Sequence, residues 1–212
     1  MDGIDRLIAG LVEDAERAKD AGAGVTDAQI EAAARSMAAR GFLPARGGEE
    51  TYRTLATWVA TVRAGLATRG LLLWGEPGRG KTLFLGKFCR AARTVRALQI
   101  AELYQEWGRA RVLNWLAEDQ LDIVPEDYYQ LAIDDLGAEP TGKRFGETTE
   151  ILADAVDQRY RQWQRRGWAG ATFLSTNLSP DQLADRYGAR TASRIAEMCA
   201  VINLTGPDWR MR

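Results

Sequence analysis

Leu71-Leu72-Leu73-Trp74-Gly75-Glu76-Pro77-Gly78-Arg79-Gly80-Lys81-Thr82-Leu83 joins a short apolar run to a glycine-rich turn and then to a lysine–threonine pair. The apolar run has the bulk and length of a buried strand, and the segment from Lys81 to about Ala92 reads as a helix. Between them, Gly75 to Thr82 matches G-x-x-x-x-G-K-[ST], the phosphate loop. The spacing has a mechanism. Glycines let backbone N–H groups turn inward around the β- and γ-phosphates, and the N-terminus of the following helix adds its partial positive charge. The expected nucleotide-binding residues are Gly75, Glu76, Pro77, Gly78, Arg79, Gly80, Lys81, Thr82 and Leu83. Lys81 is expected to reach the β/γ oxygens and Thr82 to ligate the metal through its hydroxyl, so the cofactors implied are ATP and Mg2+. Arg79 fills a variable slot and is expected to face solvent.

Outward from this stretch, short apolar runs alternate with longer periodic segments. The runs are Leu71–Trp74, Val95–Ile100, Leu131–Ile133, Thr172–Thr176 and Val201–Leu204; helices are expected over 81–92, 101–117, 147–166 and 180–199. Alternation of this kind predicts an α/β fold, with a five-stranded, mostly parallel sheet covered by helices on both faces. Ser179-Pro180-Asp181-Gln182 combines an N-cap, a proline at the first helical position and a reciprocal cap at the third. Upstream, residues 4–20 read as an acidic amphipathic helix. A second helix starts at Thr26, capped with Gln29 and stopped at Gly41. Pro44 to Gly48 reads as a loop and Tyr52 to about Ala67 as a third helix. The chain divides on this reading into a helical N-terminal segment, 1–66, and an ATPase core, 67–212.

A second cluster of chemistry stands at the end of a later strand. Leu131-Ala132-Ile133-Asp134-Asp135 is an apolar run ending in two carboxylates at the edge where ligands bind in open α/β sheets. Asp134 is the expected Mg2+ partner and Asp135 the residue that polarises attacking water. Asn177 follows the Thr172–Thr176 run. It either helps to position that water or simply opens the turn before Ser179, with Thr176 a second candidate for the same task. Arg186, Arg190 and Arg194 are spaced by four and share a helical face. One of them reaches a neighbouring subunit's γ-phosphate, or the three form a solvated ridge.

Composition removes several function classes. The 212 residues include no histidine and two cysteines. This excludes His-ligated metal sites, His-dependent triads and a disulfide framework. The formal net charge is -1, so any nucleic-acid contact must come from a local patch. Residues 1–50 carry six Lys/Arg against ten Asp/Glu, and the remainder 22 against 19. With 46% hydrophobic and 27% charged residues, the chain has the make-up of a globular protein. No basic-then-apolar leader opens it and no apolar run approaches the roughly 20 residues that span a bilayer, so the expected location is the cytoplasm.

The ordered motifs Gly75–Thr82, Ile133-Asp134-Asp135-Leu136-Gly137-Ala138-Glu139, Ser175-Thr176-Asn177-Leu178-Ser179, Tyr187-Gly188-Ala189-Arg190-Thr191-Ala192-Ser193-Arg194 and Thr205-Gly206-Pro207-Asp208-Trp209-Arg210 cover about residues 70–210. Together they resemble the DnaC/DnaI helicase loaders and the related IstB transposition helper ATPases of the AAA+ superfamily. The resemblance implies a P-loop NTPase of the AAA+ ASCE type without a C-terminal lid. It makes Asp134 and Asp135 the Walker B pair, Asn177 sensor 1, and Arg194 the trans-acting finger, with Arg190 beside it. Most AAA+ proteins carry Glu where Asp135 stands, and the shorter side chain implies slow hydrolysis. The partners implied are a replicative helicase, single-stranded DNA and further copies of the chain joined through an ATP-bridged interface.

In this group an extra helix after the second strand touches single-stranded DNA. Here that region is Glu102 to Asp127, with Tyr104, Trp107, Arg109, Arg111 and Trp115, which either serve that contact or belong to the core. Residues 1–45 would form the partner-binding arm, without the zinc-bearing N-terminus of familiar loaders. The leading expectation is an ATP-dependent helicase loader in DNA replication. A transposition helper ATPase, a small-molecule P-loop kinase and a non-hydrolysing nucleotide-dependent binding module stand as alternatives.

Overall fold

A computed structural model of the chain describes residues 24–43, 48–89, 91, 93–117, 130–139, 146–206 and 208. The amphipathic segment expected at 4–20 lies outside the described residues. Five strands, β1 (Gly70–Trp74), β2 (Arg93–Arg96), β3 (Leu131–Leu136), β4 (Thr172–Thr176) and β5 (Cys199–Asn203), form one sheet in the order β2-β3-β4-β1-β5. Every pairing is parallel. β4 therefore stands between the strand that leads into the phosphate loop and the strand that ends in the aspartates. This is the α/β P-loop NTPase fold.

Successive side chains of a strand point to opposite faces, and the core divides accordingly. On one face Leu71, Leu73, Phe173 and Ile202 pack against α1 (Asp27–Ala39), α2 (Glu49–Arg63) and α3 (Lys81–Phe88). On the other, Leu72, Ile133, Leu174 and Val201 meet α4 (Ala97–Trp107), α5 (Arg109–Ala117), α6 (Gly146–Arg166), α7 (Pro180–Tyr187) and α8 (Ala189–Met198). Strands buried on both faces read as continuous apolar runs, which is why they were visible in the sequence. The first two described helices share a core with the sheet. Ala33, Met37 and Leu55 are each no more than 1% exposed and belong to the same cluster as Phe84 and Phe173.

Both capping boxes form. The Thr26 hydroxyl accepts from the Gln29 N–H at 3.3 Å while Gln29 Oε1 accepts from the Thr26 N–H at 2.7 Å. Ser179 and Gln182 exchange the equivalent bonds at 3.3 and 2.8 Å, with Pro180 opening α7.

Several sequence expectations need correction. The run Val95–Ile100 is strand only to Arg96; Ala97, Ile100 and Ala101 are buried at helical spacing and belong to α4. The helix expected at 101–117 is broken at Gly108 and that at 180–199 at Gly188, where φ is 78° and 88°. These left-handed values interrupt a helix and cost glycine little. The helix expected at 52–67 runs from Glu49 to Arg63, with two acids in its first turn and a base in its last, matching the helix dipole. The helix after the phosphate loop stops at Phe88 rather than Ala92, and Cys89 is already extended as the chain turns towards β2.

Candidate nucleotide site

Parallel strands deliver all their C-terminal ends to one edge. Trp74 is in register with Thr176 of β4 and Asn203 of β5, so Gly75, Asn177 and Leu204 leave the sheet side by side. The loop from Gly75 turns through three glycines in the left-handed region, Gly75, Gly78 and Gly80, with φ of 141°, 80° and 86°. A side chain at Gly75 would collide with the Leu204 carbonyl, and one at Gly78 with the Asp208 carboxylate. The loop is thus held closely between β5's exit and the segment beyond it. Gly80 caps α3 and Lys81 is that helix's first residue.

Lys81 is 5% exposed. Its ammonium donates to the carbonyls of Gly75 at 2.6 Å and Glu76 at 2.8 Å, which fixes the cation within the turn. Arg79 does not face solvent as expected; it pairs with Glu76 and its side chain is 17% exposed. Pro77 is exposed, and Leu83 packs partly buried against the first core, so its side chain serves the fold.

Thr82 and Asp134 come together as expected. The Thr82 hydroxyl donates to Asp134 Oδ1 at 3.1 Å, and the Ser175 hydroxyl donates to the same oxygen. One hydroxyl and one carboxylate, both oxygen donors, fit Mg2+, which keeps several waters and takes phosphate oxygens rather than a full protein cage. Among the described residues no group of three or more His, Cys, Asp or Glu could hold a metal ion.

Asp135 has φ 56°, the only left-handed non-glycine among the described residues. The β3–β4 register explains it. Ile133 opposes Leu174 and Leu136 opposes Thr176, so Asp134 and Asp135 together oppose Ser175. This is a β-bulge, a device that re-aims side chains next to functional sites, and aspartate tolerates the left-handed conformation better than most residues. Ser175 serves both aspartates, because its hydroxyl also accepts the Asp135 N–H at 2.9 Å. Asp134 is buried and Asp135 half-buried. Thr176 donates to the Leu136 carbonyl at 2.6 Å and accepts the Leu178 N–H at 3.0 Å. It thereby holds the turn that presents exposed Asn177.

The three ridge arginines have separate fates. Arg186 binds Glu139, its Nε donating to Oε1 at 3.0 Å and Nη2 at 2.7 Å. Tyr187 donates to the same carboxylate, whose other oxygen accepts the Gly137 N–H at 3.1 Å. Burial first, and then the Glu139 charge, push the Tyr187 hydroxyl well above its ordinary value. Arg194 pairs with Asp157 of α6 and lies 5.2 Å from the Tyr160 ring centroid, with its side chain 17% exposed. Arg190 is exposed and makes no hydrogen bond or ion pair among the described residues.

In α4 and α5, Tyr104, Trp107 and Trp115 are half-buried against the second core. The two indoles meet edge to face at 6.0 Å. Arg111 stacks on Trp107 at 4.9 Å, and Arg109 pairs with Asp154 at 2.5 Å. Ser175, Glu139 and Asp208 are the site residues that sequence reading did not single out. Ser175 left no distinguishing signal, because Thr172 and Thr176 carry hydroxyls in the same buried run; Glu139 and Asp208 left none beyond their place in the motifs.

No family model and no curated protein matches the chain. Among solved structures, the DnaC helicase loader is similar over 73% of this chain and 90% of its own, with 18% identity and a TM-score of 0.46. DnaI is similar over 75% and 85%, with 22% identity and a TM-score of 0.49. The replication initiator DnaA bound to AMPPCP and single-stranded DNA is similar over 72% and 46%, with 18% identity and a TM-score of 0.47.

Proposed function

We propose that the chain is an ATPase of the helicase-loader kind, acting in DNA replication through Mg2+-dependent ATP binding and slow hydrolysis at the phosphate-loop edge. The observation that carries the ATPase reading is the junction of Thr82, Asp134 and Ser175. There a loop hydroxyl and a strand-tip carboxylate from two separate motifs share one hydrogen-bonded corner. The loader reading rests on the order of the five motifs along residues 70–210.

The loop N–H groups and Lys81 bind the triphosphate, and Thr82 with Asp134 would hold Mg2+. That ion, when bound, supplies charge neutralisation to the phosphoryl group in flight. Asp135 orients the attacking water and accepts its proton, and Asn177 holds the water from the neighbouring strand. Asp135 is shorter by one methylene than a glutamate would be, so its carboxylate stands further from that water and turnover is slow. An arginine from a neighbouring copy, Arg190 or Arg194, stabilises transition-state charge, a contribution of about 10³–10⁵ in turnover where such residues act. A replicative helicase and single-stranded DNA are the partners of this reading, with residues 1–45 as the helicase-binding arm.

The test has two parts. Lys81→Ala is expected to abolish ATP binding or hydrolysis; unchanged affinity and turnover would overturn the active-site assignment. Co-purification from the native cell with and without ATP is expected to recover a replicative helicase. Recovery of a transposase in its place would overturn the loader reading while leaving the ATPase intact.

A further inference from the structure

The sheet edge opposite the phosphate loop, where β3 and β4 begin, carries a cavity of about 320 Å3. It is walled by α1 and α2, by the end of α3 and by residues leading into β3 and β4. Arg40, Arg63 and Lys87 line it, and among the described residues no acidic side chain does. Trp58, Phe88 and Trp168 supply aromatic walls. The two indole centroids are 6.4 Å apart, and the Arg40 guanidinium stands 5.6 Å from the Phe88 ring centroid.

Among the described residues the three cations are held by neutral groups alone. Arg40 Nη1 donates to the Lys87 carbonyl at 2.9 Å, and Lys87 Nζ donates back to the Arg40 carbonyl at 2.5 Å. Arg63 Nη2 donates to the Ser36 hydroxyl at 2.6 Å. All three partners are uncharged, and each cation keeps further N–H donors. Like charges held around one space repel one another, so an anion placed among them is stabilised. Guanidinium forks suit the bidentate geometry of phosphate. Aromatic walls beside the cations suit a flat ring carried by that phosphate, the pairing by which proteins hold single nucleotides. The volume lies at the small end of ligand pockets and suits one such unit.

We infer that this cavity binds a nucleotide unit, its phosphate on Arg40, Arg63 and Lys87 and its base against Trp58 and Trp168. The site is separate from the ATP site and depends on neither Lys81 nor Asp134. A free mononucleotide and the phosphorylated end of a strand present the same chemistry.

Calorimetric titration of the full chain tests it, with a non-hydrolysable ATP analogue and Mg2+ present to occupy the phosphate loop. The probes are dTMP, inorganic phosphate, and a thymidine hexamer with and without a 5′-phosphate. The expected result is binding of dTMP or the phosphorylated hexamer, with inorganic phosphate and the unphosphorylated hexamer at least tenfold weaker. Tighter binding of the hexamer identifies a strand end as the source, and tighter binding of dTMP a free nucleotide.

The double variant Arg63→Gln/Lys87→Gln removes two exposed cations. It is expected to keep its unfolding temperature and its affinity for the ATP analogue while losing about tenfold or more for the phosphorylated probe. No binding of either phosphorylated probe, inorganic phosphate binding as tightly as dTMP, or a variant that binds like the parent overturns the inference.

Discussion

At the scale of single residues, the site turns on a hydroxyl. Ser175 is fully buried, donates to Asp134 and accepts from the Asp135 N–H, so it fills the gap that the bulge opens in the β3–β4 ladder. Removing it leaves the half-buried Asp135 N–H without that acceptor and the buried Asp134 oxygen with the Thr82 hydroxyl alone, at about 1–3 kcal/mol. Ser175→Ala is therefore expected to lower the unfolding temperature and to reduce ATP turnover by about tenfold or more, a barrier change near 1.4 kcal/mol. Ser175→Thr, which keeps the hydroxyl, is expected to recover part of that turnover. Equal turnover in the alanine variant and the parent would show that Asp135 needs no such support. Asp208 invites the opposite experiment. Its carboxylate packs against Gly78, in the loop to which the proposed function assigns the triphosphate. Asp208→Asn is expected to tighten ATP binding several-fold at low ionic strength, with the gain shrinking as salt screens it. Weaker binding in that variant would make Asp208 a partner of the nucleotide rather than a brake. Thr82 and Asp134 were legible in the sequence because each sits at a fixed place in a motif whose chemistry is known. Ser175 and Asp208 were not, because their roles come from strand register and from the return of a distant segment, neither of which a linear pattern encodes.

Among elements, the informative contact joins β3 to α7. Glu139 lies three residues beyond the β3 strand, its side chain wholly buried, and takes bonds from Gly137, Arg186 and Tyr187. The turn that follows the paired aspartates is thereby tied to the helix that follows Asn177. Glu139→Ala leaves Arg186, a mostly buried cation, without its counter-charge, at a cost of about 3–5 kcal/mol. Thermal unfolding is expected to fall accordingly; a change of a few tenths of a kcal/mol would show that the turn is held by other contacts. Element type was readable wherever burial was two-sided or caps were explicit, as in β1, β4 and the Ser179 box. It was misread at Val95–Ile100. A short apolar run satisfies strand and helix patterns alike, and only the packing of Ala97, Ile100 and Ala101 on one side decides the matter. Gly108 and Gly188 broke helices that periodicity alone would have continued.

For the whole molecule, the question is which arginine a neighbouring copy could receive. Arg194 is held within its own subunit by Asp157 and Tyr160, whereas Arg190 is exposed and has no ion pair among the described residues. Stability and catalysis should separate the two. Arg194→Ala removes a partly buried ion pair and is expected to cost about 0.5–3 kcal/mol of stability. Arg190→Ala should leave unfolding within about 0.5 kcal/mol of the parent. If the arm that crosses the interface is Arg190, that variant binds ATP normally and loses stimulated hydrolysis. Lys81→Ala subunits, inactive at their own loop, still carry an intact Arg190. Mixing the two inactive proteins then pairs a working loop with a working arginine at a fraction of the head-to-tail interfaces, about a quarter for random assembly at equal amounts. Recovered hydrolysis near that fraction, rising with total protein concentration, is the expected outcome. A mixture no more active than its two components would confine Arg190 to its own subunit and end the case for an ATP-bridged interface completed by that residue.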